Sequence, residues 1–338
     1  QSMSQRAEQR LNRFMPQLLR QLAEREPHDA VLADVLDLVL SITRRSAYLS
    51  LLVHNPLACK RMLDLFEESD WLAQTVIRHP ALLDELLDPS LGQLLPNVEE
   101  LRDTTRRIQT SHDDPEAVLQ GLNHYKQAAS LRVAVAEIET ALSAEQVQHT
   151  LTDLAEALLD VCLDVADSEI RARYDHLPTP QLCIIGYGSL GAREIGYGSD
   201  LDLIFLFDPD YGSNDFTDYS IPLERFYTRV ARRLISLLTI PTASGRLFET
   251  DTRLRPNGRS GLLVSSVQAF DKYQREKAWT WELQSLTRGR ALVGDLRIRQ
   301  RFDRVRREVL AQKRDPETLR EDIARMRARM RAEFRGKD

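Results

Sequence analysis

From residue 4 to about 175, apolar positions recur at helical spacing. Leu11, Met15, Leu18 and Leu22 fall on one face. So do Val31, Val35, Leu38 and Ile42, and later Val147, Leu151, Leu154, Leu158, Val161 and Val165. Pro27, Pro56, Pro80, Pro89, Pro96 and Pro115 punctuate the run, often beside Asp, Asn or His, as helix boundaries do. Gly92 and Gly121 are its only glycines. A turn-rich β fold would need more, and no repeat period argues for a solenoid.

The pattern changes at Leu177-Pro178-Thr179-Pro180, which reads as a linker. Gln181 to Ile185 is a short apolar run that predicts a buried strand. Glycines then cluster at Gly186, Gly188, Gly191, Gly196 and Gly198. A second strand is expected over Leu201 to Phe207, a helix over Leu223 to Leu238, and a third strand over Arg246 to Leu254. Charged helical spacing returns from about Asp295. The expectation is an α+β protein, predominantly helical, with a small mixed sheet. It divides into a helical domain (4–175), a catalytic domain (176–295) and carboxy-terminal helices (296–338).

Composition narrows the picture. The chain is 42% hydrophobic and 29% charged, enough for a sizeable core. Net charge is −5, without the basic surplus of a nucleic-acid binder. Cys59, Cys162 and Cys183 are distant and odd in number, so buried thiols are expected, not disulfides. No apolar run approaches the roughly 20 residues that span a bilayer. No signal peptide opens the sequence, and Gln1-Ser2-Met3 resembles a protease-cleavage remnant. The expected location is the cytoplasm. His54, His79 and the other histidines have no partners at metal spacing, which argues against zinc.

The candidate chemistry lies in carboxylates. Asp200 and Asp202 stand at i and i+2 at a strand start, so they share a face. Leu201, Leu203, Phe205 and Phe207 share the other, where they can pack as core. Two such carboxylates can serve a Mg²⁺ pair through hard oxygen ligands. Metal ions about 3.5–4 Å apart can hold the attacking and leaving oxygens of a phosphoryl displacement. An acidic strand end facing solvent is the bland alternative. Upstream, Gly186-Tyr187-Gly188-Ser189 follows a strand, where a glycine turn brings backbone N–H groups close to phosphate. Downstream lies Glu249-Thr250-Asp251-Thr252-Arg253-Leu254-Arg255-Pro256. As a strand it would alternate Glu249, Asp251, Arg253 and Arg255 onto one face. Asp251 suits metal or base chemistry, and the arginines offer forked donors to phosphate.

Gly186, Gly188 and Gly191 also match G-x-G-x-x-G. A dinucleotide site needs a crossover helix next, and Gly196 and Gly198 interrupt one. Trp279 and Trp281 read as core rather than as an adenine platform. Glu194 reads as a structural partner of Arg193 or Arg253 rather than as a lining of a nucleotide pocket. The basic run Arg325, Arg327, Arg329, Arg331 and Arg335, with Met326, Met330 and Phe334 at helical spacing, reads as an amphipathic helix.

Gly-Ser, D-x-D and a later third Asp resemble the polymerase-β-like nucleotidyltransferase superfamily. The string from Gly186 to Phe205, with Asp251-Thr252-Arg253-Leu254-Arg255-Pro256, is similar to the glutamine synthetase adenylyltransferase family. Ala278-Trp279-Thr280-Trp281-Glu282 and Gln284 to Arg290 resemble its carboxy-terminal, adenylylating half. His79 to Leu87 and the Lys126 to Ile138 helix extend the likeness to the helical region. The resemblance implies transfer of AMP from ATP to a glutamine synthetase tyrosine. It also implies two Mg²⁺ ions on Asp200, Asp202 and Asp251. Gly186, Gly188, Ser189, Arg253 and Arg255 would hold nucleotide. A PII-type signalling protein and glutamine would be regulators. The family's other half removes AMP by phosphorolysis, and a catalytically silent nucleotide-sensing module is a reading of another class. Ser189 stands where this family commonly has Lys. A further Gly- and Asp-containing stretch is expected beyond Asp338 in the full half.

Overall fold

The computed structural model describes residues 5–25, 29–43, 46–88, 91–92, 95–174, 182–209, 221–242 and 245–335. Its first helices are α1 (Gln5–Ala23), α2 (Asp29–Ile42), α3 (Ser46–His54), α4 (Pro56–Glu68) and α5 (Asp70–Arg78). A 3₁₀ segment (Pro80–Leu87) precedes α6 (Val98–Thr110), α7 (Pro115–Thr140) and α8 (Ala144–Arg171). Local chemistry sets their ends. Pro56, Pro80 and Pro115 open their elements, where a missing N–H costs nothing. Asn97 and Glu100 exchange capping bonds of 3.0 and 3.1 Å at the start of α6. Pro16 sits inside α1, unlike the prolines at boundaries. Pro27 and Pro89 lie outside the described residues.

Two compact units result. One is Gln1–Glu100 with Asn123–Leu151; the other is Leu101–Leu122 with Thr152–Asp338. In the first, Val31, Val35, Leu38 and Ile42 are all buried, as their spacing predicts. Its buried cation, Arg61, is held by Glu139 at 2.6 Å and by the carbonyls of Asp88 at 2.7 Å and Leu91 at 3.0 Å. A buried guanidinium is tolerated only when its donors are satisfied in this way.

The second unit carries the sheet. Its strands are β1 (Leu182–Gly186), β2 (Leu201–Phe207), β3 (Thr250–Asp251), β4 (Val264–Ser266) and β5 (Arg290–Gly294). β1 lies between β2 and β5 and is antiparallel to both. The far edge of β2 pairs in parallel, first with β3 at Leu201 and Asp202, then with β4 from Phe205 to Phe207. The sheet is therefore mixed, as expected. Between β1 and β2 stands only α9 (Gly188–Ala192), a single short turn. β2 then returns antiparallel, which removes the crossover a dinucleotide fold requires.

Both sheet faces are covered. Cys183, Ile185, Ile204 and Leu206 meet Val267, Phe270, Leu286, Ile298 and Phe302. These come from α11 (Val267–Glu276), α12 (Thr280–Thr287) and α13 (Leu296–Leu310). On the opposite face Phe207 meets Tyr227 of α10 (Leu223–Thr239), with ring centroids 5.4 Å apart. β2 is thus buried on both sides beyond Asp202, where the sequence predicts one core face. The last helix, α14 (Pro316–Arg335), is tied to α12 by Thr280 Oγ1 donating to Asp322 at 2.6 Å. The side chains of Arg329, Met330, Arg331, Phe334 and Arg335 lie outside the described residues. No helix among the described residues is long and apolar enough to cross a membrane. All three cysteines are free and buried.

Phe302 is fully buried among both strands' side chains and Phe270. Phe302→Ala should cost about 3–5 kcal/mol. Urea unfolding followed by circular dichroism would read this as a lower midpoint for the sheet-bearing unit.

Candidate active site

The carboxylates gather where the helical cover of β2 ends. Asp200 and Asp202 share a face with Ile204 and Leu206, but they precede the region that α11 and α13 bury. Asp200 is exposed and Asp202 half-buried. β3 supplies the third acid. The Leu201 N–H donates to the Glu249 carbonyl at 2.9 Å, and Asp202 stands opposite Asp251 in parallel register. Register partners in neighbouring strands point to one face, so Asp251 joins the other two. Desolvation first, then the charges of Asp200 and Asp251, push the Asp202 carboxyl up to about 6; Arg253 opposes the shift.

The glycine turn packs against these acids. The Tyr187 N–H donates to the Asp202 carbonyl at 2.9 Å. Gly188 has φ +54°, and a Cβ there would collide with Asp202 Oδ2. Only glycine meets both demands. Gly191 has no room either: a Cβ would strike the Arg288 carbonyl. Gly186 is buried, with Leu190 and Leu292 side chains where a Cβ would stand. Ser189 is half-buried beside Gly188 in the first turn of α9, and its carbonyl accepts from the Glu194 N–H at 2.7 Å.

Several expectations need correction. The third strand is two residues long, not nine, so Asp251, Arg253 and Arg255 do not alternate on one face. The chain turns after Asp251. The Arg253 N–H donates to Asp251 Oδ1 at 2.7 Å, and Nε to Oδ2 at 2.6 Å. Arg255 folds onto its own loop, donating to the carbonyls of Thr252 at 2.7 Å and Gly261 at 3.1 Å. Glu249 pairs with Arg246. Glu194 pairs with Arg288 at 2.9 Å, not with Arg193 or Arg253; Arg193 pairs with Asp153 at 2.7 Å. Trp279 and Trp281 are not core: they are 68% and 39% exposed. The core role falls to Glu282, which accepts from the Tyr273 hydroxyl at 2.9 Å and caps α12 through the Trp279 N–H.

Three carboxylates on one face supply the hard oxygen donors that a divalent cation selects, and their mutual repulsion is what a cation relieves. The donor chemistry fits Mg²⁺. Among the described residues, however, no three His, Cys, Asp or Glu side chains are so placed that they could hold a metal ion together. The Asp251 carboxylate is turned onto Arg253 instead.

The raised carboxyl at Asp202 has a stability consequence. Its folded value of about 6 exceeds the ordinary 3.8. The folded state therefore holds this proton more tightly, and stability falls as pH rises from about 4 through 6. Asp202→Asn should melt higher than wild type at pH 7.5 in EDTA, and the advantage should vanish below pH 4. Equal melting at both pH values would refute the carboxylate crowding.

Sequence comparison identifies the family. The family model for glutamate-ammonia ligase adenylyltransferase matches residues 59–305. A bifunctional glutamine synthetase adenylyltransferase/adenylyl-removing enzyme of Pseudomonas putida is 45% identical, covering 98% of this chain and 35% of that protein. Proteins of the same description from Alteromonas mediterranea and Thioalkalivibrio sulfidiphilus are 40% and 42% identical, over 99% and 100% of this chain and 35% and 36% of theirs. The chain spans about a third of the length of these curated relatives. By a family match over residues 59–305 and identities of 40–45% along nearly its whole length, the chain belongs to the glutamate-ammonia ligase adenylyltransferase family.

Proposed function

We propose that this chain performs the adenylylating reaction: it transfers AMP from ATP to a tyrosine hydroxyl of glutamine synthetase and releases pyrophosphate. One observation carries the reading. The β2–β3 pairing sets Asp251 beside Asp202, on the face Asp200 shares, and Asp202 lies against the Gly188 turn. The choice of this half over the adenylyl-removing one rests on the resemblance at Ala278–Glu282 and Gln284–Arg290.

Mg²⁺ held by Asp200, Asp202 and Asp251 would supply positive charge that steadies the triphosphate and acidifies the acceptor hydroxyl. The protein's own groups do the rest. Backbone N–H groups at Gly188 and Ser189 hold the β- and γ-phosphates. Arg253 exchanges Asp251 for phosphate oxygens, a transfer its exposed guanidinium can make. Asp251, released, accepts the proton of the tyrosine hydroxyl, whose ordinary pKa is near 10. The tyrosine oxygen bonds to the α-phosphorus as the bond from that phosphorus to its bridging oxygen breaks. Pyrophosphate leaves with the bonding pair. Gly186 packs beneath the turn, and Arg255 braces the loop that carries Arg253.

The test uses glutamine synthetase, Mg²⁺ and ATP labelled at either the α- or the γ-phosphate. Label from the α position should appear on the synthetase, and label from the γ position should not. Asp200→Asn should lower transfer on the order of 10³-fold with a near-wild-type melt. Near-normal transfer by that variant would sink the assignment. ADP release from AMP-modified synthetase plus phosphate would favour the removing reaction. Nucleotide binding without turnover would favour a silent sensing module.

A further inference from the structure

Arg290 opens β5 and turns its guanidinium back onto the α9 turn. Nε donates to the Gly191 carbonyl at 3.1 Å, and Nη2 to the Leu190 carbonyl at 2.9 Å. Nη1 forms an ion pair with Glu156 of α8 at 2.6 Å. Glu156 and Arg290 are 13% and 28% exposed, so the pair is shielded from water far better than a surface bridge.

The arrangement answers a local need. α9 has five residues, and backbone bonds serve its last carbonyls only in part: that of Ser189 accepts from the Glu194 N–H at 2.7 Å and that of Leu190 from the Arg193 N–H at a long 3.3 Å. Its last carbonyls point towards β5, and the Arg290 fork takes two of them together. Neighbouring contacts hold the same piece from other sides. Gly191 lies so close to the Arg288 carbonyl that a Cβ would collide. Arg288 pairs with Glu194, and Arg193, the left-handed residue that ends α9 at φ 62°, pairs with Asp153. Asp153 and Glu156 stand one turn apart on α8. The carbonyl end of α9 is thus anchored from behind, while Gly188 and Ser189 open its other end beside Asp202.

We infer that Arg290 is a positioning residue for the nucleotide: it fixes the Gly188–Ser189 turn in the register that the triphosphate requires. The inference rests on the reading that this turn meets the phosphates of ATP. Small displacements of a positioning group can cost about 10²-fold in rate. Lysine in place of Arg290 keeps one positive charge for Glu156 but loses the planar fork that reaches both carbonyls.

The experiment compares Arg290→Lys and Arg290→Ala with wild type in the full chain. Arg233→Lys serves as a control for an arginine that only braces helices. Arg233 of α10 holds Glu169 of α8 through bonds of 2.5 and 2.8 Å, a brace between two helices, so its loss should lower the melt alone. Binding of a fluorescent ATP analogue with Mg²⁺, KM for ATP, kcat and melting temperature are measured at a temperature where each variant is folded. Arg290→Lys should weaken analogue binding and raise KM for ATP about 10-fold, with KM for the protein acceptor unchanged. Arg290→Ala should lose about 10²-fold in kcat/KM for ATP. Should the alanine variant not fold, the lysine variant decides alone. A lower melt with wild-type analogue affinity and wild-type KM for ATP would overturn the inference. Binding by wild type that Arg290→Lys weakens, with no AMP transfer by either, would overturn the proposed reaction and leave this role standing. No binding by wild type would overturn both.

Discussion

Everything in the site depends on a parallel contact two residues long. β3 touches the start of β2 at Leu201 and Asp202, and through that contact alone Asp251 comes to stand beside Asp202. So short a ladder cannot hold itself. Its support lies on either side. Upstream, Leu247 and Phe248 are buried, and the Phe248 N–H donates to the Leu238 carbonyl at the end of α10. Downstream, Arg255 closes the loop onto Thr252 and Gly261. Apolar anchoring before the acid and a guanidinium staple after it overcome the repulsion that β3 brings against Asp202.

That repulsion is the currency of the site. Three carboxylates crowd one sheet edge, and burial makes the crowding worse for Asp202. Folding tolerates it because the opening is half-wet and because Arg253 supplies a positive charge. Arg253 holds Asp251 with a backbone N–H and Nε together. A divalent cation bound with triphosphate would answer the same electrostatic demand more completely. Under the proposed reaction, the Arg253–Asp251 contact is therefore the one that phosphate binding would exchange. This links the stability of the resting fold to the charge balance of the proposed reaction.

Much of the sheet was legible in the sequence. β2 runs from Leu201 to Phe207 as its apolar pattern predicts, and α10 ends one residue past Leu238. Asp200, Asp202 and Asp251 were readable as candidates, and the fold brings them to one edge. The failures share a cause. Arg246 to Leu254 alternates like a strand, yet the edge of β2 offers β3 only two partners before β4 takes over. Trp279 and Trp281 read as core because large aromatics usually are, but the buried positions there go to Tyr273, Glu282 and Leu286. Arg288 and Arg290 carried no assignable role in sequence. Their partners, Glu194 and Glu156, lie about a hundred residues away or more. Local patterns report local periodicity, and these contacts are set by tertiary packing.

The glycine string shows how one pattern can answer two physical needs. In a dinucleotide fold, G-x-G-x-x-G serves a crossover helix and the approach of a pyrophosphate. Here Gly188 has no Cβ because the Asp202 carboxylate occupies that space, and Gly191 because the Arg288 backbone does. Both collisions come from the chain itself, one from the carboxylate-bearing edge and one from the approach to β5. Spacing alone could not separate the two cases. What separates them is the antiparallel return of β2, which forces the turn between β1 and β2 to pack against its own carboxylates.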